Sequence, residues 1–199
     1  SAEHGIEMKN GSPVEYSTTN GEQTEGRLFT VPAYQDIEMV YDLYSHVIKA
    51  AECLNTDSIF RQKLLIAKNK LLPLKIGRYG QLQEWIDDVD NPHDHHRHLA
   101  HLYALYPGNR ISYTRTPALA QAVRKSLEMR GKGKFGDRWP HTGGNWSMTW
   151  RTALWARLYD GNQAIGTFNR MIKESGYENM MSNQSGNMQV DATMATSGL

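Results

Sequence analysis

The sequence predicts an all-α fold. Three observations carry that expectation. Apolar residues recur at helical spacing in several separate segments, caps and breakers stand where those segments begin and end, and no sustained strand-like alternation appears anywhere. The coarse expectation is a single domain of six or so helices in sequence, with long loops after alternate helices and no internal repeat.

Residues 1–31 read as irregular, punctuated by Gly5, Gly11, Pro13, Gly21 and Gly26. Pro32 opens the first helix, whose apolar positions Ile37, Val40, Leu43, Tyr44, Val47, Ile48, Ala51 and Leu54 follow a helical period. A second helix starts at Thr56 or Asp57, both N-cap types. It carries Ile59, Phe60, Leu64, Leu65, Ala67 and Leu71, and Pro73 stops it. Residues 73–95 form a long connection, and a loop of that length inside a domain is uncommon unless it is functional.

HRHLAHLYAL predicts a short helix ended by Pro107-Gly108. The next helix has Thr116 as its cap, Pro117 at its first position and Gly131 as its C-cap. Arg124 and Glu128, one turn apart, are expected to pair on its outer face. A Gly-rich loop over 132–144 leads into a tryptophan-rich helix, NWSMTWRTALWARLYD, broken by Asp160-Gly161. The last clear helix carries Ala164, Ile165, Phe168, Met171 and Ile172, and a polar stretch follows it.

The net charge of +1, with no clustered basic run, argues against nucleic acid as the main partner. Mean hydropathy is −0.62. No apolar stretch approaches the roughly 20 residues of a membrane span. Five Trp and ten Tyr serve either core packing or stacking on sugar rings. Cys53, the only cysteine, lies in the apolar run AAECL and is expected to be a buried thiol; no disulfide within the chain is possible. The chain opens at Ser1 without Met and closes at TSGL, so both ends are expected to be cut and targeting signals are not readable.

The densest polar constellation is HDHHRHLAHL, which holds His93, His95, His96, His98 and His101. Three readings stand beside one another. Imidazoles suit a transition metal, with His98 and His101 sharing a helix face, although no HExxH or HxxEH pattern is present. They also suit packing and capping of a helix start. Finally, Arg97 and His98 offer donors for sugar hydroxyls. A second constellation, GQLQEW, sets Gln83, Glu84 and Trp85 side by side, a mixture typical of carbohydrate contact. Asp87, Asp88 and Asp90 just beyond it read as a solvated acidic turn. Two isolated carboxylates complete the inventory, Glu3 in SAEHG and Asp191 in QVDAT. Glycoside hydrolysis needs a carboxyl pair across the scissile bond, about 6.5–9.5 Å apart in inverting enzymes.

The run LLPLKIGRYGQLQEWIDDVDNPHDHHRHLAHLYALYPGNRIS closely resembles the signature region of glycoside hydrolase family 95, whose members include α-1,2-L-fucosidases and α-L-galactosidases. TPALAQAVRKSLEMRG and WSMTWRTALWARLYDGNQA resemble the segments that follow it, and MQVDATMATSG is similar to the family's closing motif FQIDGNFGGTAG. The resemblance runs from Glu3 to Leu199 and is weakest over 6–30. It implies an (α/α)6 barrel, a helical toroid, of which residues 1–199 are a single partial domain, roughly the C-terminal half; residues 1–31 form the loop segment that carries the general acid.

Carried over residue by residue, SAEHG makes Glu3 the general acid. Asp191 matches the acidic residue that works with an Asn pair, lying N-terminal to this chain, to polarise the attacking water. Arg97 and His98 match the pair that contacts fucose. Gln83, Glu84 and Trp85 would line the site, and Trp146 matches a family tryptophan.

The implied function is that of an inverting exo-glycosidase releasing terminal α-linked L-fucose from oligosaccharides or plant polysaccharides, with no cofactor and with a secreted or periplasmic location. The missing N-terminal half of the barrel would be the chain's partner, and the chain alone would be inactive. Ala2, His4, Ala100, Ala192, Thr193 and Met194 depart from the family's usual residues, which points to a different acceptor or to L-galactose as the glycone. A non-catalytic helical carbohydrate-binding protein and a His-rich metal protein are the alternatives of other classes.

Overall fold

The computed structural model describes residues 7–9, 12–14, 33–94, 96–131, 145–176, 182–184 and 187–189. Its helices are α1 (Tyr34–Cys53), α2 (Ser58–Asn69), α3 (Pro117–Met129), α4 (Asn145–Arg157) and α5 (Gly161–Ser175). Two antiparallel hairpins of three-residue strands accompany them, β1 (Glu7–Lys9) with β2 (Ser12–Val14), and β3 (Ser182–Gln184) with β4 (Asn187–Gln189). The fold is all-α, as expected. The β1–β2 hairpin corrects the wholly irregular reading of the first 31 residues. Its strands are too short for periodicity to reveal, but Asn-Gly stands between them in sequence, the pair that most favours a two-residue hairpin.

α1 starts from an extended Ala33, with Asp36 in its first turn, where the helix dipole favours an acidic group. Its buried face is Tyr34, Ile37, Glu38, Ile48 and Ala51. Leu43 and Leu54, expected on that face, are 58% and 74% exposed. Cys53 is exposed in the last turn, which corrects the expectation of a buried thiol. α2 packs on α1, and Lys68 Nζ donates to Ser45 Oγ at 3.1 Å across the pair. No residue of α2 is buried, and Ile59 is 76% exposed. Glu38, deep in α1, pairs with Arg110, whose guanidinium lies 4.1 Å from the Tyr41 ring centroid.

The 73–95 connection is ordered rather than loose. Ile76 bridges Leu82, Gly77 N–H donates to Gln81 O at 2.8 Å, and Gly80, at φ +79°, makes the turn between them. At Gly77 a Cβ would lie 2.0 Å from Gln81 Nε2, so only glycine lets that side chain tuck in. HRHLAHLYAL is not an α-helix. It folds as turns around one 3-10 turn, Ala100–Leu102. The reason is local: Asn91 Oδ1 accepts from His93 N–H at 2.9 Å, Asp94 Oδ1 from His96 N–H at 2.8 Å, and His96 Nδ1 from His98 N–H at 3.2 Å. Side chains that capture the backbone two residues on compete directly with the helical ladder.

α3 begins at Pro117 and ends before Gly131, at φ +60°, as expected. Thr116 precedes it, but its hydroxyl bonds Ser112, accepting from the amide at 2.8 Å and donating to the carbonyl at 3.1 Å, instead of capping the helix. Arg124 turns away from Glu128 to bind Asp160 Oδ2 at 2.6 Å, which corrects the expected intrahelical pair. Asp160 meanwhile caps α5 by accepting from Gln163 N–H at 3.1 Å. α4 is covered on nearly all sides: Met148, Trp150, Leu154 and Trp155 are buried together with Ser147, Thr149, Arg151 and Thr152. Several of its polar groups are met within the protein, Thr152 Oγ1 donating to Met148 O at 2.9 Å and Trp150 Nε1 to Tyr106 O at 2.8 Å. α5 packs on α4 through Met171 and Phe168 against Met148, while Ile165 and Ile172 stay exposed.

The main core forms where Leu82, Leu99, Leu102 and Leu105 from the connecting segments meet Val123 and Leu127 of α3 and Leu154 of α4. Among the described residues no helix is long and apolar enough to cross a membrane.

Candidate functional site

Two segments anticipated as polar recognition elements meet at the C-terminal end of α3. The first is Gln83–Trp85. Leu82 N–H donates to Ser126 Oγ at 3.0 Å and to Ala122 O at 3.1 Å, which fastens the loop to α3. On its other side Trp85 bridges Ala33, and Tyr34 N–H donates to Glu84 O at 3.0 Å, so the start of α1 is fastened to the same loop. Gln83 is buried, its N–H donates to Lys75 O at 3.1 Å, and its Oε1 is a buried acceptor with no hydrogen-bond partner among the described residues.

The acidic turn beyond this loop is not solvated at Asp88 and Asp90. Gln81, itself buried, donates from Nε2 to Asp90 Oδ2 at 2.9 Å and to Asp88 Oδ1 at 3.1 Å, and its Oε1 accepts from Tyr79 N–H at 3.0 Å. Asp88 Oδ2 accepts from Arg78 N–H at 2.6 Å. One amide side chain thus organises the whole turn, and burial pushes the Asp90 carboxyl up. Asp87 alone of the three is exposed.

Glu84 is the electrostatic centre. Arg130 Nη2 pairs with Glu84 Oε2, and Arg130 Nη1 reaches Asp94 Oδ2 at 2.8 Å. Burial pushes the Glu84 carboxyl up to about 7; Arg130 opposes that rise, and Asp90 and Asp94 add to it. His101 Nδ1 stands 3.9 Å from Glu84 Oε2, too far for a hydrogen bond. Burial, with Arg130 and Arg151 adding their charges, holds His101 well below the usual imidazole range and therefore neutral near pH 7. Arg151, buried on α4, donates to Gly131 O at 2.8 Å and Arg130 O at 3.4 Å, binding the carbonyls that end α3. Burial, joined by the charges of Arg130 and Arg170, lowers its own pKa to about 10.

The second segment is Arg97–His98. Asp94, held by Arg130, accepts from His96 N–H, and His96 accepts from His98 N–H. The His98 ring stands edge-on to His96 at 4.7 Å and to Trp146 at 6.2 Å, and Trp146 in turn meets Trp150 at 4.7 Å. Arg97, His98, Trp85 and Trp146 are all half-buried. The structure thus gathers Glu84, His98 and Trp146 along one continuous run of contacts. Glu3 and Asp191 lie outside the described residues. Sequence reading missed Arg130, because a cation at a helix end looks like a solvated dipole partner, and gave His101 no role beside Glu84. The i,i+3 helix face proposed for His98 and His101 does not form. Among the described residues no group of three or more His, Cys, Asp or Glu side chains is placed to hold a metal ion.

What this arrangement offers is hydrogen-bonding groups of both kinds beside indole faces, a combination suited to a polyhydroxylated ring. Comparison with known proteins agrees with that chemistry. The profile of the glycosyl hydrolase family 95 catalytic domain matches residues 2–198. Alpha-L-fucosidase 2 of Arabidopsis thaliana is 32% identical over 157 residues, covering 73% of this chain and 18% of that protein. Probable alpha-fucosidase A of Aspergillus niger is 30% identical over 188 residues, covering 92% of this chain and 23% of that protein. The chain spans about a fifth of the length of these relatives.

Proposed function

This chain belongs to the glycosyl hydrolase family 95 catalytic domain family, and from that premise we propose that the protein carrying it is an inverting exo-glycosidase that releases terminal α-1,2-linked L-fucose from oligosaccharides or plant polysaccharides. The observation that supports this reading most is the Glu84–Arg130–Asp94 network, which ties the Gln83–Trp85 loop to the Arg97–His98 turn and so assembles a polar, indole-bearing site from distant parts of the sequence. Gln83 Oε1 adds a buried acceptor for an O–H donor. The relatives are named as fucosidases in both cases, which supports the same glycone.

In this proposal Glu3 protonates the departing glycosidic oxygen while water attacks the anomeric carbon from the opposite face, in a single displacement. Asp191 helps polarise that water. To serve as the acid, Glu3 must hold its proton near neutral pH, as a buried or negatively flanked carboxyl does. Arg97 and His98 hold the sugar's hydroxyls, with Gln83, Glu84, Trp85 and Trp146 around them. The helices described here would form part of an (α/α)6 barrel completed by the rest of the protein, acting in a secreted or periplasmic setting.

The test is made on the full-length protein with a 2′-fucosylated oligosaccharide. Glu3→Gln is expected to lower fucose release by roughly 10²–10⁴-fold, the usual contribution of a general acid. Release at the wild-type rate would remove Glu3 from the mechanism. NMR of the first-formed sugar should show the β-anomer; an α-anomer would mean retention.

A further inference from the structure

We propose that Arg130 is a positioning residue whose two-armed guanidinium sets the Gln83–Trp85 loop and the His96–His98 turn in a single register around the sugar. The inference rests on the glycan-binding reading given above and deepens it. One arm of Arg130 binds Glu84, in the first segment; the other binds Asp94 Oδ2 at 2.8 Å, and the second oxygen of Asp94 accepts the His96 amide at 2.8 Å, which opens the second segment. Neither segment is an α-helix, so neither has a regular ladder of its own to fix it.

Arg130 is well anchored for this work. It follows α3, which is rooted in the core through Val123 and Leu127. Arg151 holds the carbonyls of Arg130 and Gly131 from α4, so the backbone that presents the guanidinium is itself tied down. A planar fork with fixed donors can bind two separate carboxylates at once in defined directions; an ammonium group carries the same charge as a mobile point. The groups facing Glu84 are Arg130 from the end of α3, Asp90 and Asp94 from its own connection, and His101 from the 3-10 turn. Burial and the two aspartates favour the protonated form of Glu84, and Arg130 favours the charged one.

The experiment uses the full-length protein with Arg130→Lys and Asp94→Ala, and it reads two quantities. By hydrogen-exchange mass spectrometry, Arg130→Lys should speed exchange in both segments together, whereas Asp94→Ala should speed it over His96–His98 and leave Gln83–Trp85 near the wild-type rate. In kinetics with a fucosylated substrate, Arg130→Lys should raise KM about tenfold or more, with kcat within about twofold, because the sugar contacts it arranges are made in ground and transition state alike. A merely structural role would instead lower the active fraction, reducing apparent kcat at constant KM. Wild-type exchange in both segments of the Arg130→Lys protein, or a change confined to the end of α3, overturns the assignment. A wild-type protein without glycosidase activity would reject the proposed function, and the exchange data would still decide the role of Arg130.

Discussion

In α2 the large apolar side chains stand in water; in the connection between Pro73 and Pro107, the leucines from Leu82 onward are sealed from it. α2 buries none of its residues and exposes Ile59, Phe60 and Ile66, whereas Leu82, Leu99, Leu102 and Leu105, none of them in an α-helix, are fully buried. A buried loop is normally expensive because its backbone groups lose water. Here protein acceptors replace the water. Ser126 Oγ and Ala122 O receive the Leu82 amide, Leu99 O that of Leu102, Leu102 O that of Leu105 and Asp94 that of His96. The comparison teaches that, in this protein, the core follows the places where irregular backbone finds acceptors within the protein, and does not simply follow the helices.

The sharpest way to break that contrast is to remove a core leucine from the loop. Leu102→Ala should destabilise the full-length protein by about 2–5 kcal/mol in denaturant unfolding, the range for a fully buried Leu that leaves a cavity. A cost below 1 kcal/mol would mean that the loop is not the core.

A second measurement sharpens the electrostatic side. The folded pKa of Glu84, about 7, lies above its ordinary value of 4.5. The stability this group contributes is therefore fully present below pH 4.5 and is lost as the pH rises through about 7. The stability difference between wild type and Glu84→Gln should accordingly shrink, or turn in favour of the variant, over that interval and level off above it. Neutral His101, which loses stability in the opposite direction as the pH falls below 6.5, is present in both proteins and cancels. A difference independent of pH would show Glu84 to be an ordinary exposed carboxylate. The smallest effect belongs to α2: Ile59→Ser should change stability by no more than about 0.5 kcal/mol, as surface positions do. A cost of 2 kcal/mol in the full-length protein would show that this face is covered there.

Much of the helical framework was legible because its signals are local. Pro117 and Gly131 bracket α3, Asp160-Gly161 separates α4 from α5, and the apolar period marks α1 and α2. The site was legible only in pieces. Gln83, Glu84, Trp85, Arg97 and His98 stood out by residue type, but their junction depends on Arg130, 46 positions from Glu84, and nothing local announces a pair so distant. HRHLAHLYAL has helical spacing, yet Asp94 and His96 capture backbone amides two residues on, and those bonds win. Likewise Leu43 and Leu54 keep the period of α1 without a neighbour among the described residues to cover them, because periodicity identifies a face and not its partner. Glu3 and Asp191 fall outside the described residues, so their place in the mechanism rests on sequence resemblance.

Ala33 and Trp85 lie side by side, so all of α1 and α2 is an excursion that leaves and re-enters the molecule at a common neck. Beyond the contacts that Glu38 and Asp42 make with Arg110 and Tyr103, the far turn between these two helices is the place open to lengthening or trimming. The neck is fixed, since Tyr34 is bonded there to the backbone of Glu84.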